Sequence, residues 1–293
     1  MARPGRTAPR AVVVPLALVV GCAIAGCAPA ADAPGPLPDG LDVTVRQGRL
    51  DVPQHLLVVH FENSGDPLTV EALTVRSPAL APGMERDRPF DLGRDDAIDI
   101  RLDLPGSVCE GDPTAVEVDV RVTSADGESL AGTLEPADPF GTMARIADTD
   151  CLAEAVAAVA AIELPERLRT SGSGAGMRAW IDVRVAPVPT GDGRLTIDGV
   201  AATTLIGDEG GQDWELGIDV AAGDEPVDAV LAVRPARCDA HALADDKRGT
   251  ILPFDVAAAD GRSGRLEFAA GPSLKADLYA YYAERCELEP PSG

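Results

Sequence analysis

Hydrophobic and polar residues alternate along several short stretches of the chain. Residues 97–104 alternate strictly, with Asp or Arg at every second position from Asp99 to Asp103, and residues 116–122 show the same pattern. A two-residue period places every second side chain on the same face of a β-strand. These stretches are therefore predicted to be half-buried strands of an antiparallel sheet.

Other apolar segments are bounded by residues typical of turns. Residues 56–61 and 69–75 flank a turn-forming segment at 62–67, and Asp126-Gly127 precedes an apolar segment at 130–134. The second half of the chain contains further predicted strands at 180–188, 195–205, 214–220, 227–233, 251–258 and 265–269.

The pattern also predicts two helices. Residues 140–148 favour a short helix before Cys151, and a second helix is expected from Ser273, as the N-cap, to Glu284. The second helix carries an apolar stripe of Leu274, Leu278, Tyr281 and Tyr282. Residues 153–161 fit either a helix or a strand, and the sequence leaves the two readings open.

The two halves of the chain are similar to each other. Residues 65–70 recur loosely at 191–197, and residues 118–127 recur at 254–261, in the same order along the chain. The offsets lie between 126 and 136 residues. Self-similarity at a nearly fixed offset indicates a tandem duplication.

The segment from 56 to 75 reads as a strand, an Asn-x-Gly turn and a Pro-Leu-x-Val strand. This arrangement resembles the B–C region of immunoglobulin-like sandwiches found in bacterial surface proteins. The resemblance implies a mainly β protein with two tandem antiparallel β-sandwich repeats, at residues 41–163 and 164–293. Each repeat is expected to have one short helix before its second cysteine.

Four cysteines follow the N-terminal region, at Cys109, Cys151, Cys238 and Cys286. An even number in an exported protein suggests two disulfides, although four cysteines allow three connectivities. The internal similarity aligns the first cysteine of one repeat with the first of the other, and likewise the second. It therefore predicts the pairs Cys109–Cys151 and Cys238–Cys286.

The N-terminus has the composition of an export signal. Three arginines precede an apolar run at residues 11–27. This run is shorter than the roughly 20 apolar residues that a membrane-spanning helix needs. Its end, Ile-Ala-Gly-Cys at 24–27, resembles the lipobox of bacterial lipoproteins. The resemblance implies cleavage after residue 26 and lipidation of Cys27, with Cys22 as the alternative. An ordinary secretory signal with a chance cysteine is a further reading.

The residues after the signal divide into a spacer and an acidic body. Residues 27–40 are rich in Pro and Ala and are predicted to be a tether between residues 1–26 and the first repeat. The chain from Cys27 onward has 22 basic and 48 acidic residues, a net charge of −26. Because phosphate neutralisation requires clustered Lys and Arg, this charge excludes a nucleic-acid binder.

Candidate metal sites are weak in this sequence. Cys238, His241, Asp245 and Asp246 are of metal-ligating types, but an oxidised cysteine cannot bind a metal. The acidic loop at 208–213 lacks the ligand spacing of calcium loops. No metal or cofactor is therefore predicted.

Candidate catalytic residues are equally sparse. His55 and His60 are five apart in a predicted strand and would point to opposite faces. The glycine-rich segment at 171–176 lacks the Gly-Lys-Ser/Thr of a phosphate loop and is expected to be a linker. Trp180 and Trp214 are expected to be core residues. No motif for nucleophilic catalysis occurs, so the chain is not predicted to be an enzyme.

The sequence thus predicts a lipid-anchored protein on the extracytoplasmic face of the cell membrane. Its expected role is a non-enzymatic binding or structural module that contacts a protein partner in the envelope. One alternative is an accessory lipoprotein that binds a small ligand or metal between the repeats. Another is a hydrolase with a carboxylate site that no motif reveals.

Overall fold

The computed structural model describes residues 34–244 and 246–288. In the first half of the chain, the apolar segments form strands that lead into a long helix. These elements are β1 (Leu41–Arg46), β2 (Leu56–Asn63), β3 (Leu68–Arg76), β4 (Met84–Arg86), β5 (Phe90–Leu92), β6 (Asp96–Asp103), β7 (Glu117–Ser124), β8 (Ser129–Leu134) and α1 (Thr142–Ala157). β2 lies between β1 and β6 in one antiparallel sheet. In the other sheet β3 pairs with β7, β7 with β8, and both β4 and β5 with β3.

The second half repeats this order of strand pairing. Its elements are β9 (Ala160–Glu163), β10 (Arg169–Ser171), β11 (Arg178–Pro187), β12 (Arg194–Val200), β13 (Ile206–Gly207), β14 (Trp214–Ala221), β15 (Val227–Pro235), α2 (Ala240–Ala244), β16 (Ile251–Ala258), β17 (Ser263–Ala269) and α3 (Pro272–Arg285). β11 pairs with β9, β10 and β15, and β15 with β13. The other sheet has the order β14-β12-β16-β17.

The mainly β class is confirmed, and all strand pairs in these sheets are antiparallel. The self-similar segments occupy corresponding positions. Residues 65–70 include the turn between β2 and β3, and residues 191–197 include the turn between β11 and β12. The strand predicted at 195–205 is shorter in the structure, where β12 ends at Val200.

Each half contains its own hydrophobic core, built mainly from small aliphatic side chains. The alternation along β7 buries Val118, Val120 and Val122 and leaves the residues between them more exposed. In the second half the predicted apolar stripe of α3 is buried, with Tyr281 and Tyr282 among the largest enclosed side chains. Burial of one such aliphatic side chain contributes about 1.5–3 kcal/mol. The described residues from Gly35 onward form one compact unit.

The helix that follows the first half differs from the prediction. A single helix, α1, covers the predicted short helix and most of the ambiguous segment, and Cys151 lies within it rather than after it. The carboxylate of Asp138 accepts hydrogen bonds from the backbone N–H of Thr142 at 2.7 Å and of Met143 at 2.9 Å. This cap satisfies two of the amides that a helix start leaves without partners.

α1 belongs to both cores. Met143 and Ile146, near its start, pack into the core of the first half. Leu152 and Val156, two turns later, pack into the core of the second half. Residues 153–157 of the ambiguous segment are thus helical, in a helix that packs against both cores, whereas Ala160 and Ala161 already belong to β9.

One further expectation about the elements is wrong. Ser273 lies inside α3, whose N-cap is Gly271 without a capping side-chain hydrogen bond. β9 begins at Ala160 and pairs with β11 in the second half.

Both disulfides are present. Cys109 is bonded to Cys151, and Cys238 to Cys286, with Cα–Cα distances of 5.5 and 5.2 Å. These are the pairs that the internal similarity predicts. In each half the bridge connects the segment between two neighbouring strands of the sequence to the helix that ends that half. Disulfides of this kind are typical of proteins in an oxidising, extracytoplasmic compartment.

The end of the predicted tether is part of the folded unit. The N–H of Gly35 donates to the carbonyl of Ser129 at 3.1 Å, and its carbonyl accepts from Ala131 at 2.9 Å. Leu37 packs against the core of the first half. The signal segment 1–26, with Cys22, and the candidate lipidation site Cys27 lie outside the described residues.

Within residues 34–244 and 246–288, no helix has both the length and the apolar composition that a membrane span requires.

Candidate functional site

The residues considered as metal ligands do not form a metal site. Cys238 is in a disulfide, Asp245 lies outside the described residues, and the His241 side chain is 94% exposed. The backbone N–H of His241 donates to the Asp239 carboxylate, and this bond, the largest effect, lowers the pKa of Asp239. Among the described residues, no three His, Cys, Asp or Glu side chains are arranged to hold a metal ion.

The acidic loop at 208–213 and the glycine-rich segment at 171–176 form hydrogen bonds with groups of the protein itself. The Asp208 carboxylate accepts hydrogen bonds from the backbone N–H of Gly210 at 2.8 Å and of Gln212 at 2.7 Å. In the glycine-rich segment, the N–H of Gly174 donates to the Glu284 carboxylate at 2.9 Å. The Gly174 amide of this segment is thus already bonded to a carboxylate of the protein.

The two histidines of the predicted strand are not in one strand. His55 precedes β2 and has a left-handed backbone conformation. His60 lies in β2, where Nδ1 is 2.7 Å from the Asp99 carboxylate and Nε2 is 3.1 Å from Glu62. Partial burial tends to raise the pKa of Asp99, but hydrogen bonds from His60 and Arg46 outweigh it and lower the pKa. This cluster joins neighbouring strands through charged side chains.

The two tryptophans have different environments. Trp214 is buried, as predicted, and its indole N–H donates to the Ala232 carbonyl at 2.7 Å. Trp180 is only half-buried, in contrast to the prediction, and the Arg169 guanidinium lies 4.8 Å from its ring centroid. Its apolar ring is covered by an arginine rather than by the core.

A surface groove of about 770 Å³ lies beside β3 and β7. Its charged lining is Arg76, Glu85, Glu117 and Glu135. Arg76 is already bonded to Glu117 at 3.0 Å and to Asp119 at 2.8 Å. The groove therefore offers an incoming ligand carboxylates in excess and a guanidinium that is already paired.

A second cavity has the opposite charge. It has a volume of about 520 Å³ and is lined by Arg49, Arg237, His241, Lys247 and Arg248, together with Thr204, Ala242 and Asp246. We call it the basic cleft. Arg49 comes from the turn between β1 and β2, and the other basic residues come from the segment between β15 and β16. The two halves of the chain thus contribute cations to one cavity of a strongly acidic protein.

The loop that carries Arg49 is held by a buried carboxylate. Asp51 is 5% exposed and accepts hydrogen bonds from the Arg101 guanidinium and from the N–H of Gly48, both at 2.9 Å. The hydrogen bond and the charge of Asp51 raise the pKa of Arg101. Because Asp51 is bonded to Arg101 and to Gly48, the turn that carries the exposed Arg49 is held in place.

The position of Arg237 is fixed by α3. The next residue, Cys238, is bonded to Cys286 at the end of that helix. The buried Tyr282 hydroxyl donates to the Arg237 carbonyl and accepts from the N–H of Asp239 at 3.2 Å. A covalent bond and two hydrogen bonds therefore hold the backbone on both sides of the disulfide.

The loop with Lys247 and Arg248 is held by Asp246, whose carboxylate is the only one that the described residues contribute to the lining of the cleft. Asp246 accepts from the N–H of Gly249 at 2.6 Å, and its other oxygen accepts from the Tyr279 hydroxyl at 2.9 Å. The Thr203 hydroxyl donates to the Gly249 carbonyl at 2.8 Å. Asp246 thus directs its hydrogen-bonding capacity into the protein, away from the adjacent cations.

Arginines elsewhere are mostly paired with carboxylates on the same sheet. Examples are the pairs Arg169–Asp182, Arg184–Asp228, Arg194–Asp219 and Arg265–Asp255. In the cleft, Arg248 binds Glu267, and Arg237 is 4.0 Å from Asp239. For Arg49 and Lys247, no carboxylate of the described residues lies within 4.0 Å. The cleft therefore has donors that the described part of the protein leaves available.

Tyr279, which donates a hydrogen bond to Asp246, has a phenol with a raised pKa. Burial is the main cause that raises the pKa of its phenol to about 12, and the hydrogen bond to Asp246 and the charge of that carboxylate act in the same direction. A tyrosine in the unfolded chain has a pKa near 10. Between about pH 10 and 12 the folded protein therefore binds more protons than the unfolded chain does. This stabilisation is complete below pH 10 and is lost as the pH rises through 12.

We expect the free energy of unfolding to fall more steeply between pH 9.5 and pH 11.5 in the wild type than in Tyr279→Phe. The measurement is urea unfolding at a series of pH values. Tyr281, whose pKa is also raised by burial, remains as an internal reference. Equal slopes for the two proteins would contradict the assigned role of Tyr279.

Sequence reasoning did not single out the cations of the cleft. One local signal existed, because Lys247-Arg248 is the only pair of adjacent basic residues in the sequence. The partner Arg49 is almost 200 residues away, and no sequence pattern connects it to that pair.

No protein-family model and no curated protein matches this chain. Solved structures give distant matches, including red sea bream transglutaminase (11% identity, TM-score 0.24, 80% of this chain and 31% of that one). The YadV chaperone matches with 14% identity and a TM-score of 0.19, over 74% of this chain and 94% of that one. A Porphyromonas gingivalis protein of unknown function matches with 16% identity and a TM-score of 0.19, over 77% and 94%. This chain thus spans about a third of the transglutaminase.

Proposed function

We propose that this chain is a lipid-anchored, extracytoplasmic and non-enzymatic binding protein whose binding site is the basic cleft. The observation that carries the proposal is the placement of Arg49, Arg237 and Lys247 around one cavity in a chain with 48 acidic residues. Their loops are held by hydrogen bonds to groups of the protein interior or its edge, among them Asp51, Tyr282 and Asp246, so little order has to be imposed when a ligand binds. Such preorganisation reduces the entropic cost of binding.

The proposed architecture is two tandem immunoglobulin-like sandwiches. Two observations support it: the strand pairing follows the same order in both halves, and each half ends in a helix linked by a disulfide to an earlier loop. We place the boundary before β9, because that strand pairs with β11. The repeats then extend from Leu41 to the end of α1 and from β9 onward.

The cleft favours a small ligand over a large protein partner. Its volume of about 520 Å³ is in the range of small-molecule sites, about 300–1,000 Å³. It lies where the two proposed repeats both contribute side chains. Of the sequence-based alternatives, the accessory lipoprotein with a small ligand between the repeats therefore has specific support, with an anion in place of a metal.

Binding through the cleft is tested by native mass spectrometry of the purified protein after incubation with an envelope extract. We expect a bound small molecule on the wild type and its loss in the double variant Arg237→Glu, Lys247→Glu. The matched control is Arg184→Glu, Arg194→Glu, which changes the net charge equally outside the cleft. The cleft would be ruled out as the binding site if the wild type showed no adduct. It would also be ruled out if the adduct persisted in the double variant Arg237→Glu, Lys247→Glu.

The anchor is tested at its proposed attachment site. Replacement of Cys27 by Ala is expected to abolish incorporation of a labelled fatty acid and to move the protein from the membrane to the soluble fraction, because membrane attachment depends on the lipid chains. Cys22→Ala should retain label and membrane association. The opposite result would assign lipidation to Cys22, and no label in the wild type would refute the anchor.

A further inference from the structure

We propose that the ligand of the basic cleft is a compact anion with at least two phosphate groups. This inference rests on the proposed function of the cleft and specifies the chemistry of its ligand. The groups proposed for recognition are the guanidinium of Arg49, the ammonium of Lys247 and the guanidinium of Arg237, which has a contact of 4.0 Å with Asp239. Arg248 is engaged by Glu267, and its charge adds to the local potential.

The charge of the lining favours more than one negative charge on the ligand. Arg and Lys are fully charged at neutral pH, so Arg49, Arg237, Lys247 and Arg248 carry four positive charges against the one negative charge of Asp246. A phosphate monoester has a charge of about −1.5 to −2 at pH 7, with three acceptor oxygens, whereas a carboxylate carries one charge. Two linked phosphates therefore match the cleft better than a single carboxylate does.

The donor types also fit phosphate oxygens. A guanidinium presents a planar fork that binds two oxygens of one phosphate, and an ammonium acts as a compact point charge. Thr204 adds a hydroxyl to the lining. Arg49 enters from one half of the chain, and Arg237 and Lys247 from the other, so each can contact a different phosphate.

The charge around the cleft limits the size of the ligand. The chain from Cys27 has a net charge of −26, which repels a long polyanion wherever it extends beyond the cleft. At physiological ionic strength this repulsion is screened beyond about 8 Å. A ligand whose charges all fit inside the cavity avoids most of it, which favours a small phosphate anhydride or a diphosphate headgroup over a polymer.

The test is isothermal titration calorimetry of the full exported chain in detergent with sodium pyrophosphate at low salt. We expect saturable binding that is weakened by about 10-fold or more in Arg237→Ala and in Lys247→Ala, since each variant loses charge-assisted hydrogen bonds. Arg184→Ala, which removes an equal charge from the β11–β15 face, should bind within twofold of the wild type. Arg49→Ala provides a separate variant on a different loop, and circular dichroism verifies the fold of each.

Two further arms identify the class and source of the anion. Malonate, a dicarboxylate, should bind at least 10-fold more weakly than pyrophosphate, and equal affinity would overturn the phosphate assignment. Vesicles that contain a lipid with a diphosphate headgroup show the source: binding to them that requires Lys247 and exceeds that of pyrophosphate supports a lipid, and weaker binding supports a free anhydride.

Failure of this inference is distinguishable from failure of the proposed function. No heat with pyrophosphate and no binding to the vesicles, or equal losses in Arg184→Ala and Lys247→Ala, would overturn the phosphate assignment. If the extract still gave an adduct that the cleft variants abolish, the cleft would remain a binding site for an anion of another class. Tighter binding of an acidic peptide than of pyrophosphate would also overturn the inference.

Discussion

Replacement of both Cys238 and Cys286 by Ser is expected to lower the free energy of unfolding by about 4 kcal/mol. The bridge closes a loop of 48 residues, and in the chain-entropy model the loss of such a constraint increases the entropy of the unfolded chain by the corresponding amount. Neither cysteine is fully buried, so Ser introduces little additional cost. The measurement is the urea midpoint and slope under non-reducing conditions.

The other bridge provides the comparison. Cys109 and Cys151 close a loop of 42 residues, so the double variant Cys109→Ser, Cys151→Ala should lose a similar amount, about 4 kcal/mol. Ala is preferred at position 151 because that side chain is 5% exposed. A loss below about 1 kcal/mol for either bridge would mean that the unfolded chain is already restricted in that region.

Substitution of Leu152 by Ala is expected to cost about 2–5 kcal/mol, the usual range for a buried leucine. Leu152 is 4% exposed and packs into the core of the second half from α1. The matched control is Asp148→Ala on the exposed side of the same helix, which should change stability by less than about 0.5 kcal/mol.

The position of α1 gives this variant a second readout. Because the same helix places Ile146 in the first core, we expect both halves to unfold in one transition, with Ile146→Ala and Leu152→Ala shifting the same midpoint. Trp180 and Trp214 report on the second half by fluorescence, and circular dichroism reports on the whole chain. Two separated transitions in Leu152→Ala would show that the helix does not couple the cores.

Much of the fold could be predicted from local patterns. Alternation identified β6 and β7, and the order of similar segments identified both disulfides, since these signals involve residues that are close together or repeated. The segment at 153–161 was ambiguous for a physical reason. Val156 and Val159 suit a strand by propensity. How far the helix extends toward them is decided by its packing against both cores, which local sequence does not reveal.

The basic cleft could not be predicted for a different reason. Its cations lie on loops, and the period of a strand or helix says nothing about where a loop side chain points. In the sequence Asp246 was only one of a weak set of candidate metal ligands, whereas in the structure its carboxylate holds the loop through Gly249 and Tyr279. Arg49 and the segment near Lys247 line the same cavity as a result of tertiary packing alone.

The pairing of Gly35 with the β8 segment has a consequence for the proposed lipid anchor. If Cys27 carries the lipid, eight residues, Cys27 to Pro34, separate the membrane from the first bonded residue of the body. Fully extended, eight residues span at most about 28 Å. This length exceeds the screening distance of about 8 Å, so the acidic body can remain outside the field of anionic headgroups. If Cys27 carries the lipid, a deletion that left only two or three of these eight residues would bring the acidic body to about the screening distance from anionic headgroups.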